Sequence, residues 1–398
     1  MPGPGTSTLI VNAGSSSVKM RLYHGKDPLF DGLIDGIGGD ALIETSFSYG
    51  KKKGVKNARV GSALSEAQAI KMRVPNYETA GRIIIEMLNT FSNPETVKTI
   101  VHRVVHGGDF RTPQEITPRV LQKLEALSER APLHQPPSLA LIRFFMKQMK
   151  TRHIACFDTA FHRTMPLEAR RYALPPTLTA KYGIERHGFH GLSHASLYTQ
   201  LSKKCVKKYS RVITAQLGNG VSLCAIKDGK SIDTTMGFTP LEGLPMGTRS
   251  GNIDPALVAF LCAHEKKTPS AVLKILENES GFLGLTGTWD VRVILGRVRH
   301  GEKRALEAID FFAYHVRKQI GAYVAALGGL DALSLGGGLA RSKVIRDKIL
   351  DGLDKFGIIP DTKRLGDESP VKLSKGKTKV WVFETDEQEY MYEITRGM

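Results

Sequence analysis

The sequence lacks several features that would have pointed to particular classes of protein. No uninterrupted apolar run approaches the roughly 20 residues that a membrane-spanning helix needs, so no such helix and no membrane partner is expected. Met1-Pro2-Gly3-Pro4-Gly5 at the start lacks the basic region and apolar core of a secretory signal. We therefore expect a cytoplasmic location.

Cysteine is scarce, and its spacing argues against metal or redox chemistry. The four cysteines are far apart and include no C-x-x-C pair, so we expect reduced core residues. Three histidines between Arg186 and His194 could suggest zinc, but H-E-x-x-H is missing and no cysteine or carboxylate lies at ligand spacing. We expect His190 to donate a hydrogen bond to an oxyanion and one of the three to be structural. The cysteines are Cys156, Cys205, Cys224 and Cys262.

Acidic residues are fewer than basic ones, 39 against 56, which gives a formal net charge of +17. Nucleic-acid-binding proteins carry such a surface, but a basic surface also attracts phosphorylated metabolites. The basic clusters are dispersed and have no interleaved aromatic residues for base stacking. We therefore do not expect a nucleic-acid partner.

The chain contains the same strand, glycine turn, strand pattern twice. Leu9 to Lys19 passes from an apolar strand through Gly14-Ser15-Ser16-Ser17 into a second strand. Ile213 to Leu223 repeats the pattern, with Gly218 in the place of Gly14 and Gln216 in the place of Asn12. Small residues let backbone N–H groups approach a phosphate, and hydroxyl or amide side chains add donors. One such turn is best interpreted as an ordinary hairpin, but two in matching register favour two lobes that bind one phosphorylated ligand.

Strand-like runs alternate with helical ones, which predicts an α/β protein with mixed sheets. We expect helices at about Glu78 to Thr90, at Pro118 to Ala131, and at Ser138 to Met149, the last entered through Pro136-Pro137. Ala332 to Leu335 is a strand that runs into a glycine loop and a helix from about Ser342. The N-terminus of that helix is a natural anion site.

Three charged residues are candidates for chemistry. Arg103 lies among valines on a predicted strand, which is costly unless an anion meets it; a structural ion pair is the alternative. Arg249 is flanked by small residues, as expected where a guanidinium must reach a carboxylate or phosphoryl group. Asp158 follows a short buried strand, a usual position for catalytic groups in α/β sheets, although it could simply cap the next segment.

Several strings, in this order, resemble the acetate kinase family, which belongs to the larger group of sugar kinases, actin and heat-shock chaperones. The resemblance implies two ribonuclease-H-like, actin-like lobes, each with a mixed sheet flanked by helices, and an interlobe active-site cleft. Residues 1–157, joined by 386–398, would form the N-terminal lobe, and residues 158–385 the nucleotide-binding and dimerisation lobe. The strings are Asn12 to Lys19, His102 to Gly108, Ala131 to Pro137, Phe157 to His162, Gly188 to Gly191, Met236 to Leu244 and Gly247 to Gly251.

The resemblance implies reversible phosphoryl transfer from ATP to acetate, which gives acetyl phosphate and ADP and requires Mg²⁺ or Mn²⁺. Asn12 and Glu387 match metal positions, and Asp158 matches the catalytic carboxylate. Because acetate is already a nucleophile at neutral pH, we expect Asp158 to position the metal ion or an arginine. Arg103 and Arg249 match residues that hold acetate and the transferring group, and His190 matches a phosphoryl contact. The implied substrate-binding residues are Arg103, Val105, Leu133, His134, Phe189 and Pro240, of which Val105, Leu133, Phe189 and Pro240 would surround the methyl group.

The implied nucleotide contacts are less faithful to the family pattern. Gln216 stands where the family usually has histidine, and Arg341 brings a cation to a position that usually carries an amide. ATP remains the expected donor, with pyrophosphate as an alternative. The implied contacts are Ser15, Ser17, Lys19, Gln216, Leu217, Gly218, Asn219, Gly220, Asp290, Val291, Arg292, Gly336, Gly337, Gly338, Leu339 and Arg341.

Two further alternatives remain open. Val105, where propionate-preferring relatives tend to have a smaller side chain, points to acetate, but one methylene in an apolar pocket is worth only ~1 to 3 kcal/mol. A propionate or butyrate kinase is therefore the first alternative. A catalytically silent, basic nucleic-acid-binding relative is the second. A homodimer formed through the second lobe is implied by the resemblance alone.

Overall fold

The computed structural model describes residues 5–47, 68–131, 135–205, 209–361 and 371–398. The chain divides into two compact units: Met1–Ala160 together with Glu387–Met398, and Phe161–Asp386. Each unit contains a mixed sheet with helices around it, which confirms the predicted fold class. The lobe boundaries expected from the sequence stay predictions.

The first unit is built on an eight-stranded sheet. Its strands are β1 (Ser7–Ala13), β2 (Ser17–His24), β3 (Asp27–Asp35), β4 (Gly39–Phe47), β5 (Gln68–Val74), β6 (Val97–Val104), β7 (Gln114–Glu115) and β8 (Arg152–Phe157). They lie in the order β5-β4-β3-β2-β1-β6-β8-β7. Strands β1 to β5 pair antiparallel, whereas β6 is parallel to both β1 and β8. The carboxyl ends of β1, β6 and β8 therefore lie along one edge of the sheet.

Three of the described helices of the first unit are α1 (Tyr77–Phe91), α2 (Pro118–Glu125) and α3 (Gln135–Gln148). Helix α1 is capped by the Asn76 side chain and buries the apolar stripe predicted from the sequence. Two predicted boundaries were wrong. Helix α2 ends at Glu125, after which Ser128–Arg130 forms a separate 3₁₀ turn. Helix α3 begins at Gln135, because the two prolines occupy its first turn, where a missing N–H costs nothing.

The second unit contains a six-stranded sheet in the order β11-β10-β9-β12-β14-β13. Its strands are β9 (Arg211–Leu217), β10 (Val221–Lys227), β11 (Lys230–Thr234), β12 (Ala332–Gly336), β13 (Val371–Lys372) and β14 (Lys379–Val382). Strands β9 and β10 are antiparallel neighbours, and β12 runs parallel to β9 and β14. The described helices of this unit are α4 (Leu167–Arg170), α5 (Pro176–Tyr182), α6 (Gly191–Lys204), α7 (Ala256–His264), α8 (Pro269–Asn278), α9 (Gly281–Thr286), α10 (Val291–Arg299), α11 (Lys303–Leu327) and α12 (Lys343–Leu350).

Both glycine turns found in the sequence join antiparallel strands, Gly14 between β1 and β2 and Gly218 between β9 and β10. Each is closed by a backbone hydrogen bond, from Gly14 N to Ser17 O at 2.7 Å and from Gly218 N to Gly220 O at 3.2 Å. The repeated strand, turn, strand pattern is therefore confirmed as a structural feature of both units.

The C-terminal helix α13 (Glu387–Thr395) belongs to the first unit. The ring of Tyr392 stacks on that of Tyr23 with centroids 3.9 Å apart, and the Tyr23 hydroxyl donates to Glu389 Oε2 at 2.5 Å. These contacts hold α13 against strand β2, and Glu387 at the start of α13 contacts Asn12 on strand β1. Among the helices that the structure describes, every one falls short of the length and apolar character needed to cross a bilayer.

All four cysteines have free thiols. Cys156 and Cys224 are buried, as expected, and burial raises the pKa of both thiols above the usual range. Cys205 and Cys262 are only half-buried, so the expectation that all four are core residues was wrong for these two.

Candidate active site

The first unit brings four polar side chains together at the carboxyl edge of its sheet, which we call the carboxylate–arginine cluster: Asn12, Arg103, Asp158 and Glu387. Arg103 lies near the end of β6, and Asp158 directly follows β8, the parallel neighbour of β6. The guanidinium and carboxylate form a two-point ion pair, with Nε 3.1 Å from Oδ1 and a terminal nitrogen 2.6 Å from Oδ2. Asp158 is buried, and only 15% of the Arg103 side chain is exposed. This geometry holds the guanidinium in one orientation.

Asn12 and Glu387 complete this cluster. The Arg103 guanidinium donates to Asn12 Oδ1 at 3.2 Å, and Asn12 Nδ2 donates to Glu387 Oε2 at 2.6 Å. Burial acts to lower the pKa of Arg103, but the charges of Asp158 and Glu387, and the hydrogen bonds that Arg103 donates to Asp158, outweigh it and raise the pKa. Arg103 is therefore a permanent cation that can meet an anionic ligand.

The same cluster contains the oxygen atoms that were expected to hold a metal ion. Within the described residues, no three or more His, Cys, Asp or Glu side chains come together as a metal site. Mg²⁺ does not require such a cage, because it is commonly held by one or two carboxylates together with waters and substrate phosphates. The carboxylate of Glu387 and the amide oxygen of Asn12 fit that mode of binding.

The second unit brings two further polar side chains, His190 and Arg249, close to the Gly220 turn. A Cβ atom at Gly220 would lie 3.1 Å from His190 Cε1 and 3.7 Å from a terminal nitrogen of Arg249. The absence of a side chain at this turn therefore lets His190 and Arg249 come close to the backbone. His190 itself has a left-handed backbone conformation, with φ of 57°, immediately before α6. Non-glycine residues adopt it at a cost, and such residues cluster at functional sites.

Arg249 is largely enclosed and donates to the carbonyl oxygen of Pro240 at 3.2 Å. Burial lowers the pKa of Arg249, and the charge of Glu277 only partly opposes that effect. A cation whose charged form is disfavoured by burial gains stability when an anion binds next to it. The arrangement suits a phosphoryl or carboxylate ligand.

The residues expected to surround the methyl group of the substrate belong to both units. Val105 is buried in the first unit, just beyond the end of β6, while Phe189 is buried and Pro240 half-buried in the second. Leu133 and His134 lie outside the described residues. Each described member is apolar, as a methyl pocket requires.

A cavity of ≈ 720 Å³ lies within the second unit, which is in the usual range for small-molecule sites. Eight of the expected nucleotide contacts line it: Gly218, Asn219, Asp290, Val291, Arg292, Gly338, Leu339 and Arg341. Ser342, at the helix N-terminus that the sequence predicts as an anion site, also lines it, together with four residues that were not predicted as nucleotide contacts: Gly247, Phe282, Trp289 and Leu295. Its walls thus combine small residues, charged residues and apolar groups that could contact a base.

Other expected nucleotide contacts do not line this cavity. Gln216 Oε1 accepts a hydrogen bond from the Thr385 hydroxyl at 2.7 Å, and Leu217 is fully buried. Gly337 has φ of 87°, and a Cβ there would lie 2.5 Å from Leu217 O, so the glycine permits a close backbone approach. Gly220 and Gly336 likewise lie outside the lining.

The remaining expected contacts belong to the first glycine turn. Ser15 is exposed and Ser17 half-buried, and Lys19 lines a separate cavity of ≈ 310 Å³ in the first unit together with Gln388. Arg341, which departs from the family pattern, is 59% exposed and pairs with Glu384 at 2.5 Å.

The sequence analysis also missed the hydroxyl groups beneath His190. Ser222 is fully buried on β10, and its Oγ lies 2.8 Å from His190 Nδ1 and 2.8 Å from His194 Nε2. The alternation of side chains along β10 places Ser222 and Cys224 on one face, which was the available signal.

The chain is similar over nearly its whole length to known kinases. The family described as the acetokinase family matches residues 7–393. An acetate kinase of Staphylococcus epidermidis is 40% identical over 96% of this chain and 91% of its own length. The structure is similar to that of a Porphyromonas gingivalis acetate kinase (TM-score 0.86, 33% identity, 98% and 99% coverage) and to that of a Francisella tularensis propionate kinase (TM-score 0.89, 32% identity, 99% and 100% coverage). The chain belongs to the acetokinase family.

Proposed function

We propose that this protein is an acetate kinase that transfers the terminal phosphoryl group of ATP reversibly to acetate and yields acetyl phosphate and ADP. The observation that carries the proposal is the carboxylate–arginine cluster, with its two-point Arg103–Asp158 pair, in a chain that belongs to the acetokinase family. His190 and Arg249 near Gly220, and a cavity of nucleotide size, support it.

The chemistry needs little covalent help from the protein. Phosphoryl transfer proceeds through a loose transition state, so catalysis depends on alignment and on compensation of charge. Acetate is ionised at neutral pH and needs no base. We therefore assign Asp158 the role of fixing the Arg103 guanidinium, and Arg103 and Arg249 the role of binding acetate and the transferring group.

Mg²⁺ is the proposed metal ion, and Asn12 and Glu387 are the residues that would hold it. When bound, it would neutralise negative charge on the phosphates. The Asn12 side chain is already oriented by Arg103 and Glu387, so its amide oxygen is preorganised. Mn²⁺ has similar ligand preferences and is the expected substitute.

We assign the nucleotide to the ≈ 720 Å³ cavity of the second unit. Gly218, Asn219 and Gly338 bring backbone to its wall, while Phe282 and Trp289 supply apolar surface suited to a base. Arg341 also reaches this wall. Pyrophosphate remains an alternative donor because a cation there can bind phosphate without a base.

Acetate is the proposed acceptor because Val105, Phe189 and Pro240 match the family's small methyl pocket and each of them is apolar. Propionate is the second candidate, and the structural similarity to a propionate kinase favours testing it. The difference of one methylene is worth ~1 to 3 kcal/mol, so the preference must be measured.

Helix α7 supports a homodimer formed through the second unit. It is apolar around most of its circumference, and Leu257 and Phe260 are 45% and 54% exposed. An all-apolar helix is normally covered, and a second copy of the chain is the proposed cover. Use of ATP supports a cytoplasmic location.

The decisive experiment compares donors and acceptors in one assay. Purified protein is incubated with Mg²⁺, with ATP or pyrophosphate as donor and acetate, propionate or butyrate as acceptor, and hydroxylamine traps the acyl phosphate. ATP with acetate should give the highest kcat/KM. Arg249→Ala should lower it sharply, while Arg119→Ala, on the exposed face of α2, should not. Absence of any acyl phosphate, combined with salt-dependent binding of DNA or RNA, would instead favour the nucleic-acid-binding alternative.

A further inference from the structure

A chain of four side chains runs from His190 into the interior of the second unit. His190 Nδ1 lies 2.8 Å from Ser222 Oγ, Ser222 Oγ lies 2.8 Å from His194 Nε2, and His194 Nδ1 lies 2.8 Å from Thr214 Oγ1. Ser222, His194 and Thr214 are fully buried. The local fold explains this: β9 and β10 place Thr214 and Ser222 on the same face, and the first turn of α6 packs His194 between them.

The protons along this chain have one arrangement that satisfies every donor. Within the described residues, the Thr214 hydroxyl has a single hydrogen-bond partner, His194 Nδ1. A buried hydroxyl proton without an acceptor is costly, so Thr214 donates to Nδ1. His194 then carries its proton on Nε2 and donates to Ser222, and the Ser222 hydroxyl donates to His190 Nδ1. His190 is left with its own proton on Nε2.

The Nε2 atom of His190 faces the Gly220 turn, because a Cβ atom added to Gly220 would lie 3.2 Å from it. A terminal nitrogen of Arg249 would lie 3.7 Å from the same Cβ position. This is the side on which the proposed function places the transferring group. A ring with its proton on Nε2 can donate a hydrogen bond there without carrying a positive charge.

We propose that Ser222, His194 and Thr214 are positioning residues that hold His190 in the neutral tautomer protonated on Nε2, so that it donates to the phosphoryl group. The catalytic consequence rests on the proposed function, whereas the tautomer itself does not. No bond to a heavy atom is made or broken in this step, and the donated proton stays on His190.

The surroundings of His194 keep its imidazole ring uncharged. Burial is the main cause that holds the pKa of His194 well below its usual range, and repulsion from the neighbouring rings of His162 and His190 when these are protonated acts in the same direction. His162 is also buried, with its pKa lowered to about 4 mainly by desolvation. Two further titratable groups among the described residues of this unit approach the chain: Cys224, beside His162, and Arg249, beside Gly220. At neutral pH the inner ring, His194, is therefore neutral, as the assigned direction requires.

The test uses nitrogen NMR of protein with ¹⁵N-labelled histidine, with the His190 signals assigned by their loss in His190→Gln. We expect wild-type His190 to be protonated on Nε2 at neutral pH, and Ser222→Ala to convert it into a mixture of tautomers. In the acetate kinase assay, Ser222→Ala should lower kcat about ten- to a hundredfold, as loss of an orienting partner typically does. KM for acetate and ATP should change little. The matched control is Ser231→Ala, which removes a buried hydroxyl that pairs with His162 instead.

If Ser222→Ala does not fold, Thr214→Val provides a second variant that is nearly isosteric with the wild type. It should also convert His190 into a mixture of its two neutral tautomers. A wild-type His190 protonated on Nδ1 would overturn the inference, whatever the activity. So would an unchanged kcat in folded Ser222→Ala, or an equal loss in Ser231→Ala. If the wild type forms no acyl phosphate, the proposed function fails, but the NMR result still decides the tautomer.

Discussion

Replacement of Gly220 by alanine tests how closely His190 must be placed. The φ angle of Gly220 is not in the left-handed region, so alanine fits the backbone. The added Cβ would lie 3.1 Å from Cε1 and 3.2 Å from Nε2 of His190, closer than ordinary van der Waals contact. The imidazole ring must therefore move by a few tenths of an ångström. It cannot move freely, because Ser222 holds its other edge at 2.8 Å.

The size of the effect follows from that displacement. A misplacement of about 1 Å can cost about 100-fold in rate, so a few tenths of an ångström should lower kcat roughly two- to tenfold. Stability should change little, because alanine at a compatible backbone position contributes ~0.4 to 1 kcal/mol, which offsets the tight contact. KM for ATP should stay near the wild-type value, since Gly220 does not line the nucleotide cavity.

The assay is steady-state formation of acetyl phosphate, trapped with hydroxylamine, together with a thermal melt. Gly296→Ala is the matched control, because a Cβ at this position in α10 meets nothing within 4 Å. The reasoning fails if Gly220→Ala retains full kcat, or if Gly296→Ala loses as much.

Three further outcomes are expected. Asp158→Asn should reduce kcat while leaving the nucleotide KM nearly unchanged, because the Arg103 guanidinium loses its charged two-point partner; steady-state kinetics check this. EDTA should abolish acyl phosphate formation and Mg²⁺ should restore it, with Glu387→Gln requiring more Mg²⁺ in a titration. Acid should destabilise the protein through His162, whose pKa in the folded protein is lowered by burial to about 4. As the pH falls below the pKa of this histidine in the unfolded chain, the unfolded chain binds a proton that the folded protein does not. The free energy of unfolding therefore falls as the pH falls. Between pH 6.5 and 5.5 this histidine alone should lower the free energy of unfolding by about 1 kcal/mol. Urea unfolding at both pH values should show this decrease in the wild type and its loss in His162→Gln.

Much of the fold is legible in the sequence because local patterns are strong there. The apolar stripe of α1, the two strand, turn, strand segments and the strand before Asp158 all appear in the structure near their predicted positions. The boundaries that were wrong, at α2 and α3, are places where turn geometry and first-turn prolines compete with helix periodicity.

Some of the site residues could be predicted from the sequence, and others could not. Arg103 and Asp158 stand out because charge among apolar residues is rare, and their separation of 55 positions is closed by two parallel strands. Trp289 and Phe282 gave no comparable signal, since an aromatic residue in a helical region is usually core. Only folding shows that both line the same cavity.

The sequence by itself determined the fold class, the two glycine turns and the family, because these depend on short-range periodicity and on specific strings of residues. The tertiary structure alone decided that Asn12 contacts Glu387, 375 positions away, and that Ser222 links His190 to His194. The physical reason is that hydrogen bonds between side chains depend on ångström-scale distances, and residue order along the chain does not specify those distances until the strands and helices have packed.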